Sequence, residues 1–507
     1  MLKSWKKRKD GEKPFLYEEK PELKNLELTA QTIRTQIGES ADIIFSDLWI
    51  NGNQSLPATL VFVDGLVNSK NIDDDILKPL LQENSLSQDK TEKDVINRIL
   101  SGGVYHSSSK IRDSIDEAIE DILSGSAALV FSKEKKAVTF DIRGFAKRSI
   151  TEPSGENVIK GAKDAFIEVL KDNTAIIRRK IRSQNLRIKQ TKVGQQTYTD
   201  IAVVWLEGIA NKDIVDEVFK RLNNIRTDGA ISLGSIEEFI VDNKWSSFPQ
   251  TIFTERSDKC CQNILDGRVA VIIDGLPSVY IVPATFNMFF KAPEDYSNNY
   301  IIASAISTIR YVSYFMSLLL PGFYIAITTF HQEMIPTELA LSIIKSKEGV
   351  PFPTSIEIIG MLFSFELLIE ASVRLPRTIG QAVSIMGAVI VGQTAVSAKI
   401  LSPGVVIIIA ITGVAGFTMP NQDFSNAVRL WRFIFVLCAI IAGLFTIVMG
   451  MLVMGYVLVK IETFGVPYFT PFTSNEGREI LQDTLLRLPL GTMKQRNASL
   501  KSTNKRR

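Results

Sequence analysis

Glu366, Glu370 and Arg374 stand four residues apart, just ahead of Leu375-Pro376. That spacing puts them on one helical face, where opposite charges pair. At membrane depth such charges are costly unless paired or wetted, and they then mark a functional element. Outside a bilayer they form an ordinary surface ladder. Read at depth, they are candidate gating charges. Downstream, Gly380, Ser384, Ala388, Gly392 and Ala395 recur at three- or four-residue intervals. Small residues at that spacing let helices approach closely. Gln381 and Gln393 add polar groups that lipid disfavours. The stripe therefore packs against another helix or lines a narrow, weakly polar pore. The candidate residues are Gly380, Gln381, Ser384, Ala388, Gly392 and Ala395.

Catalytic chemistry has little to draw on. His106 and His331 are the only histidines, so a histidine-rich metal site is excluded. No phosphate-binding loop, dinucleotide fingerprint or nucleophile elbow is present. Adjacent Cys260 and Cys261 have poor geometry for a mutual disulfide and lack CxxC spacing; they read as buried apolar thiols, with Cys438 in an apolar stretch. The chain is expected to be no enzyme, with no metal and no cofactor. No ligand-binding residue is assigned. A net charge of +3, with 58 basic and 55 acidic residues, argues against a nucleic-acid partner.

The elements that carry these residues divide the chain. Apolar stretches at 311–330, 379–398, 401–420 and 433–459 are long enough to cross a bilayer, whose core takes about 20 residues of helix. The last, at 27 residues, must tilt or protrude. Residues 356–369 are apolar but too few to span, and Glu357 and Glu366 interrupt them; they read as re-entrant, interfacial or part of a fifth span. Residues 1–25 read as a mobile charged arm, and the basic residues of 471–507 as a solvated tail. No signal peptide is visible. An even number of spans puts both ends on one side, and their basic residues favour the cytosol.

Residues 26–300 alternate helical and strand patterns. Helices are expected over 112–123 and 163–181, and strands over 128–131 and 137–142. A repeat runs through this region. Val61-Phe62-Val63-Asp64-Gly65 recurs as Val204-Trp205-Leu206-Glu207-Gly208, with Asn68 recurring as Asn211. Ile122-Leu123-Ser124-Gly125 recurs at nearly the same offset as Ile264-Leu265-Asp266-Gly267. The expected fold is an α/β (α+β) soluble N-terminal region of two similar subdomains, 26–150 and 151–300. An α-helical polytopic membrane domain of about four to five spans follows over 301–470.

A series of ordered motifs carries a resemblance. They are Glu152-Pro153-Ser154-Gly155-Glu156; Asn173 with Ile176-Ile177-Arg178-Arg179; Ser247-Phe248-Pro249-Gln250; and Thr254-Glu255-Arg256. Pro293-Glu294-Asp295-Tyr296, His331-Gln332-Glu333-Met334-Ile335-Pro336 and Val350-Pro351-Phe352-Pro353 follow. Then come Glu370-Ala371 with Arg374-Leu375-Pro376, Ser402-Pro403, and Phe464-Gly465-Val466-Pro467-Tyr468. With them the chain closely resembles the A subunit of GerA-type spore germination receptors of endospore-forming bacteria. Ser257 and Ile369 depart from the family pattern of proline and arginine at those places. The resemblance implies a spore inner-membrane protein working with a transporter-like B subunit and a lipoprotein C subunit. It further implies a homo-oligomeric ring that opens to ions when nutrient is sensed. The alternatives are a non-conducting scaffold subunit and a germination-amplifying paralogue linked to dipicolinate release. A ring suits the sequence, since one small-residue stripe cannot enclose a pore and several copies can.

Overall fold

The computed structural model describes residues 26–82, 91–104, 108–144, 156, 160–374, 392–473, 484–492, 495–496, 500–504 and 506. The charged arm 1–25 and most of the small-residue stripe (375–391) lie outside the described residues.

Ten strands build two five-stranded sheets. The first holds β1 (Ile43–Trp49), β2 (Pro57–Val63), β3 (Ser109–Arg112), β4 (Ala127–Phe131) and β5 (Lys136–Phe140), in the order β1-β2-β4-β5-β3. The second holds β6 (Leu186–Val193), β7 (Thr199–Leu206), β8 (Ile252–Thr254), β9 (Val269–Ile273) and β10 (Val279–Val282), in the order β6-β7-β9-β10-β8. The two orders are the same path followed twice. The repeated sequence elements occupy equivalent turns: Gly65 and Gly208 both take positive φ, at 82° and 75°. Asn68 and Asn211 each cap the next helix, accepting from the Lys70 amide at 3.1 Å and the Asp213 amide at 2.9 Å.

By contacts the chain divides into two compact units. One comprises 1–150, 167–191 and 200–207; the other 151–166, 192–199 and 208–507. In the first unit the side-chain period of two splits the core. Leu129 and Phe131 face the helical residues Ile72, Ile76 and Leu80, while Ala128 and Val130 face α1 (Ile115–Leu123). The helix expected to begin at 112 starts three residues later. Arg112 belongs to β3, paired with Ala137, and donates Nε to Asp121 at 2.8 Å. The expected helix 163–181 is shortened to α2 (Leu170–Lys180), because Ala165 forms an antiparallel bridge with Arg256 and the Phe166 amide donates to Glu255 O. On α2, Arg178 is fully buried. Its fork grips Asp42 at 2.8 and 2.9 Å and also reaches Ser40 Oγ and the Leu186 carbonyl. A buried guanidinium is stable here because charge and donors are all answered.

The second unit holds α3 (Lys212–Asn223), α4 (Leu233–Ile240), α5 (Ser257–Leu265) and the apolar helices. These are α6 (Tyr300–Thr329), α7 (Thr337–Ser346), α8 (Thr354–Arg374), α9 (Pro403–Phe417), α10 (Gln422–Ala442) and α11 (Leu444–Lys460). Among the described residues α6 and α10 are long and apolar enough to cross a membrane, by length and composition. The stretch 433–459 is not one rod. Gly443, at φ 62°, ends α10 and begins α11. Residues 356–369 lie inside the 21-residue α8.

Neighbouring side chains give the helix directions. Ser317 and the end of α6 at Phe330 lie beside Arg432 and Gly443, so α6 and α10 run together. Gly404 lies against Tyr324 and Gly416 against Ser317, so α9 runs against α6. Glu357 meets Ser402 and Phe365 meets Gly413, so α8 runs with α9. Cys260 and Cys261 are buried thiols that form no disulfide. Part of the tail read as solvated is buried: Arg487 is 8% exposed and Leu500 0%.

Candidate functional site

Three apolar helices meet around Glu366. On α8, Glu366 Oε2 accepts from Arg429 Nη1 of α10 at 2.9 Å. Its Oε1 faces Arg432 Nη1 at 4.0 Å. Arg429 and Arg432, three residues apart, share a face of α10. Arg432 is 1% exposed. It donates Nε to the Ser317 carbonyl of α6 at 2.7 Å and Nη2 to Ser317 Oγ at 2.6 Å. Gly416 of α9 admits this group: a Cβ there would sit 3.3 Å from Ser317 Oγ and 3.4 Å from Arg432 Nη2. Arg432 Nη1 and Glu366 Oε1 make no hydrogen bond among the described residues. The network thus holds one tight arm and one loose one.

Glu366 pairs across to α10, where Arg429 and Arg432 point at it, while the expected pairing along α8 toward Arg374 lies outside the described residues. Glu370 lies exposed on α8, and the side chain of Arg374 lies outside the described residues, as do Gly380, Gln381, Ser384 and Ala388. Gly392 is half-buried, its Cβ position 3.9 Å from Val406, and Ala395 opens a short helical turn. Arg429 and Arg432 escape a linear reading, since nothing in the sequence states which helix faces α8. Their one signal is two arginines three apart within an apolar run.

A fully buried acid, Glu357, is 1% exposed. Its Oε2 accepts from the Ser402 amide at 2.7 Å, and Lys347 Nζ lies 3.3 Å from Oε1. Ser402 caps α9 and Pro403 is its first residue. A carboxylate at a helix N-terminus answers its free amides and favourable dipole. Ser402-Pro403 is therefore a helix start held by a charge on α8.

The other recurring motifs sit where strands meet apolar helices. Phe248 stacks on Trp431 at 6.0 Å, and Trp431 Nε1 donates to Ser247 Oγ at 3.0 Å. Phe289 stacks on Phe424 at 5.3 Å and Phe290 on Tyr311 at 4.2 Å. Asp295 accepts both arms of Arg310, from α6, at 2.5 and 2.9 Å. The turn after α11 docks through the Phe464 amide on Asp242 at 2.9 Å and Thr463 Oγ1 on the Ala284 carbonyl at 2.9 Å. Arg256 grips Asp258 and the Ala162 carbonyl; Lys259 and Thr254 both reach Glu156 at 2.6 Å.

Electrostatics follow these contacts. Hydrogen bonds from Arg221 and Lys220 hold the Glu217 carboxyl below the ordinary range. Burial works against the Arg221 cation, but Asp242 and Glu217 outweigh it and its affinity for the proton rises. Burial raises Glu237, partly offset by its bond from Thr251. The described residues hold no cluster of His, Cys, Asp and Glu able to ligate a metal. What the site offers is an ion pair among apolar helices, with one arm at 2.9 Å and the other at 4.0 Å.

A family model described as Bacillus/Clostridium GerA spore germination protein matches residues 31–499. Spore germination protein KA of Bacillus subtilis (strain 168) is 36% identical over 93% of this chain and 86% of its own length. Uncharacterized membrane protein YfkQ of the same strain is 35% identical, over 94% of this chain and 92% of its own. Spore germination protein B1 of that strain is 34% identical, over 93% and 96%. The crystal structure of the N-terminal domain of the A subunit of the Bacillus megaterium spore germinant receptor GerK3 is 29% identical, with a TM-score of 0.40. It covers 50% of this chain and 93% of that one.

Proposed function

We infer the function from one premise: this chain belongs to the Bacillus/Clostridium GerA spore germination protein family. We propose that it is the A subunit of a spore germination receptor, spanning the inner spore membrane with its strand-bearing region and tail in the cytosol. Copies form a ring that conducts ions when nutrient is sensed by a transporter-like B subunit, with a lipoprotein C subunit in the complex.

One observation carries the reading. Glu366, Arg429 and Arg432 are gathered inside helices whose outer surfaces present Val414, Leu437, Ile441 and Leu452. Charges inside and apolar side chains outside suit a bilayer. The loose arm between Glu366 and Arg432 gives the helices a second arrangement of small cost, and a ligand can shift such a balance. The stripe of Gly380, Gln381, Ser384, Ala388, Gly392 and Ala395 lines the path.

Glu366→Gln and Ala388→Glu are to be expressed in spores and ion release followed after nutrient addition. We expect Glu366→Gln to change the nutrient dose needed and Ala388→Glu to change ion release itself. Wild-type behaviour of both, with the protein at normal abundance, overturns the gating and pore assignments. Purified protein in liposomes without conductance favours the scaffold reading.

A further inference from the structure

We propose that α7 is an interfacial helix, lying in the headgroup boundary of the bilayer at the end of the bundle away from the strands. The inference rests on the membrane reading above and adds a lipid-contacting surface to it. α7 has no buried residue. Leu339, Leu341 and Ile344 are 54, 60 and 64% exposed. With Ala340 and Ile343 they form an apolar arc of roughly 200° on the helical wheel that also holds Thr337, while Glu338, Ser342 and Ser346 lie on the remaining side and Lys345 at the boundary next to Leu341. Exposed Phe330, Met334, Phe352 and Ile356 extend the apolar side on both flanks.

The occupant follows from where the helix sits. The preceding α6 ends at Thr329 and the following α8 starts at Thr354. At this same end the α10–α11 break at Gly443 lies against Phe330 and His331, and α9 begins beside Glu357. Both ends of the linking segment are therefore tied to helices proposed to leave the hydrocarbon here. A short amphipathic helix so tethered covers its apolar half by settling into the acyl boundary and leaves Glu338 and Lys345 among headgroups. In water that half would form one continuous apolar patch.

The test uses the full-length chain with Cys438→Ser, in zwitterionic phosphatidylcholine vesicles. An environment-sensitive label is placed singly through Leu341→Cys, Ile344→Cys, Ser342→Cys or Lys345→Cys, with Val448→Cys on α11 as reference. Nitroxide lipids are expected to quench position 344 about twofold more than 342, roughly 160° away on the wheel, with the boundary positions 341 and 345 between them. Equal quenching on both halves overturns the proposal. So does a label at 344 that is shielded from water yet unquenched, which assigns the face to a second copy of the chain. No quenching at 448 overturns the membrane reading itself. Quenching at 448 without quenching at 344 overturns only the present inference.

Discussion

The Arg221 guanidinium lies 4.2 Å above the Phe464 ring. The same arginine pairs with Asp242 at 2.7 Å, and Asp242 accepts the Phe464 amide. Phe464 lies in the turn just beyond α11, which ends at Lys460, so one side chain on α3 holds the turn through which the last apolar helix leaves the bundle. Phe464 adopts φ 51°, uncommon for a residue with a side chain. Docking on Asp242 and Arg221 offsets that strain.

Arg221→Lys keeps the charge but loses the planar fork that serves ring and carboxylate together. A loss of about 1–2 kcal/mol is expected, read as a lower unfolding temperature of the detergent-extracted protein. Nutrient-triggered ion release is expected to slow. An unchanged melting temperature and an unchanged response would detach this contact from both stability and coupling.

Arg432→Met removes the buried cation but leaves Glu366 with Arg429 and Ser317 without its donor. Leaving the Ser317 carbonyl and hydroxyl without this donor is expected to cost about 1–3 kcal/mol. Glu366 and Arg432 belong to one network, so the double variant with Glu366→Gln should unfold above the temperature that additivity gives. Strict additivity across the thermal cycle would mean that Glu366 and Arg432 do not interact.

Gly443→Ala places a Cβ 2.9 Å from Phe330 Cβ, on a backbone of positive φ. Strain and overlap together are expected to cost about 1–3 kcal/mol. Accelerated protease cleavage at the α10–α11 junction is the readout. Cleavage at the wild-type rate would mean the two helices are not held at this turn.

In the first unit, Asp121 is pushed upward by burial, but hydrogen bonds from Arg112 and Thr139 outweigh this and hold it below its ordinary 3.8. A carboxylate depressed on folding stabilises fully above its ordinary value, and the gain is lost as pH falls through the folded one. Asp121→Asn is therefore expected to cost about 2 kcal/mol at neutral pH. The gap in denaturant midpoint between variant and wild type should close below about pH 4. A gap of constant size across that range would show that the charge of Asp121 plays no part.

Much of the fold was legible in the chain. Val61–Gly65 and Val204–Gly208 announced equivalent strands and turns because alternation and glycine placement are local properties. Asn68 and Asn211 announced helix starts for the same reason. The misreadings are equally local in cause. Arg112 has helical spacing with Ile115 and Ile119, but its pairing with Ala137 on β5 prevails. Residues 163–169 look helical until the bridge from Ala165 to Arg256 is seen. The run 433–459 is apolar throughout, and only the backbone at Gly443 reveals two helices.

The sequence by itself determined the apolar and polar division, the repeated strand-turn-helix pattern, the scarcity of histidine and the family, because these depend on residue types and near-neighbour spacing. The tertiary structure alone decided that Glu366 answers Arg429 and Arg432, that Glu357 caps the helix at Ser402, and that Phe464 is held by Arg221. Each of these joins residues far apart in the chain. Which helices lie side by side is settled by packing the whole bundle, and no local periodicity encodes it.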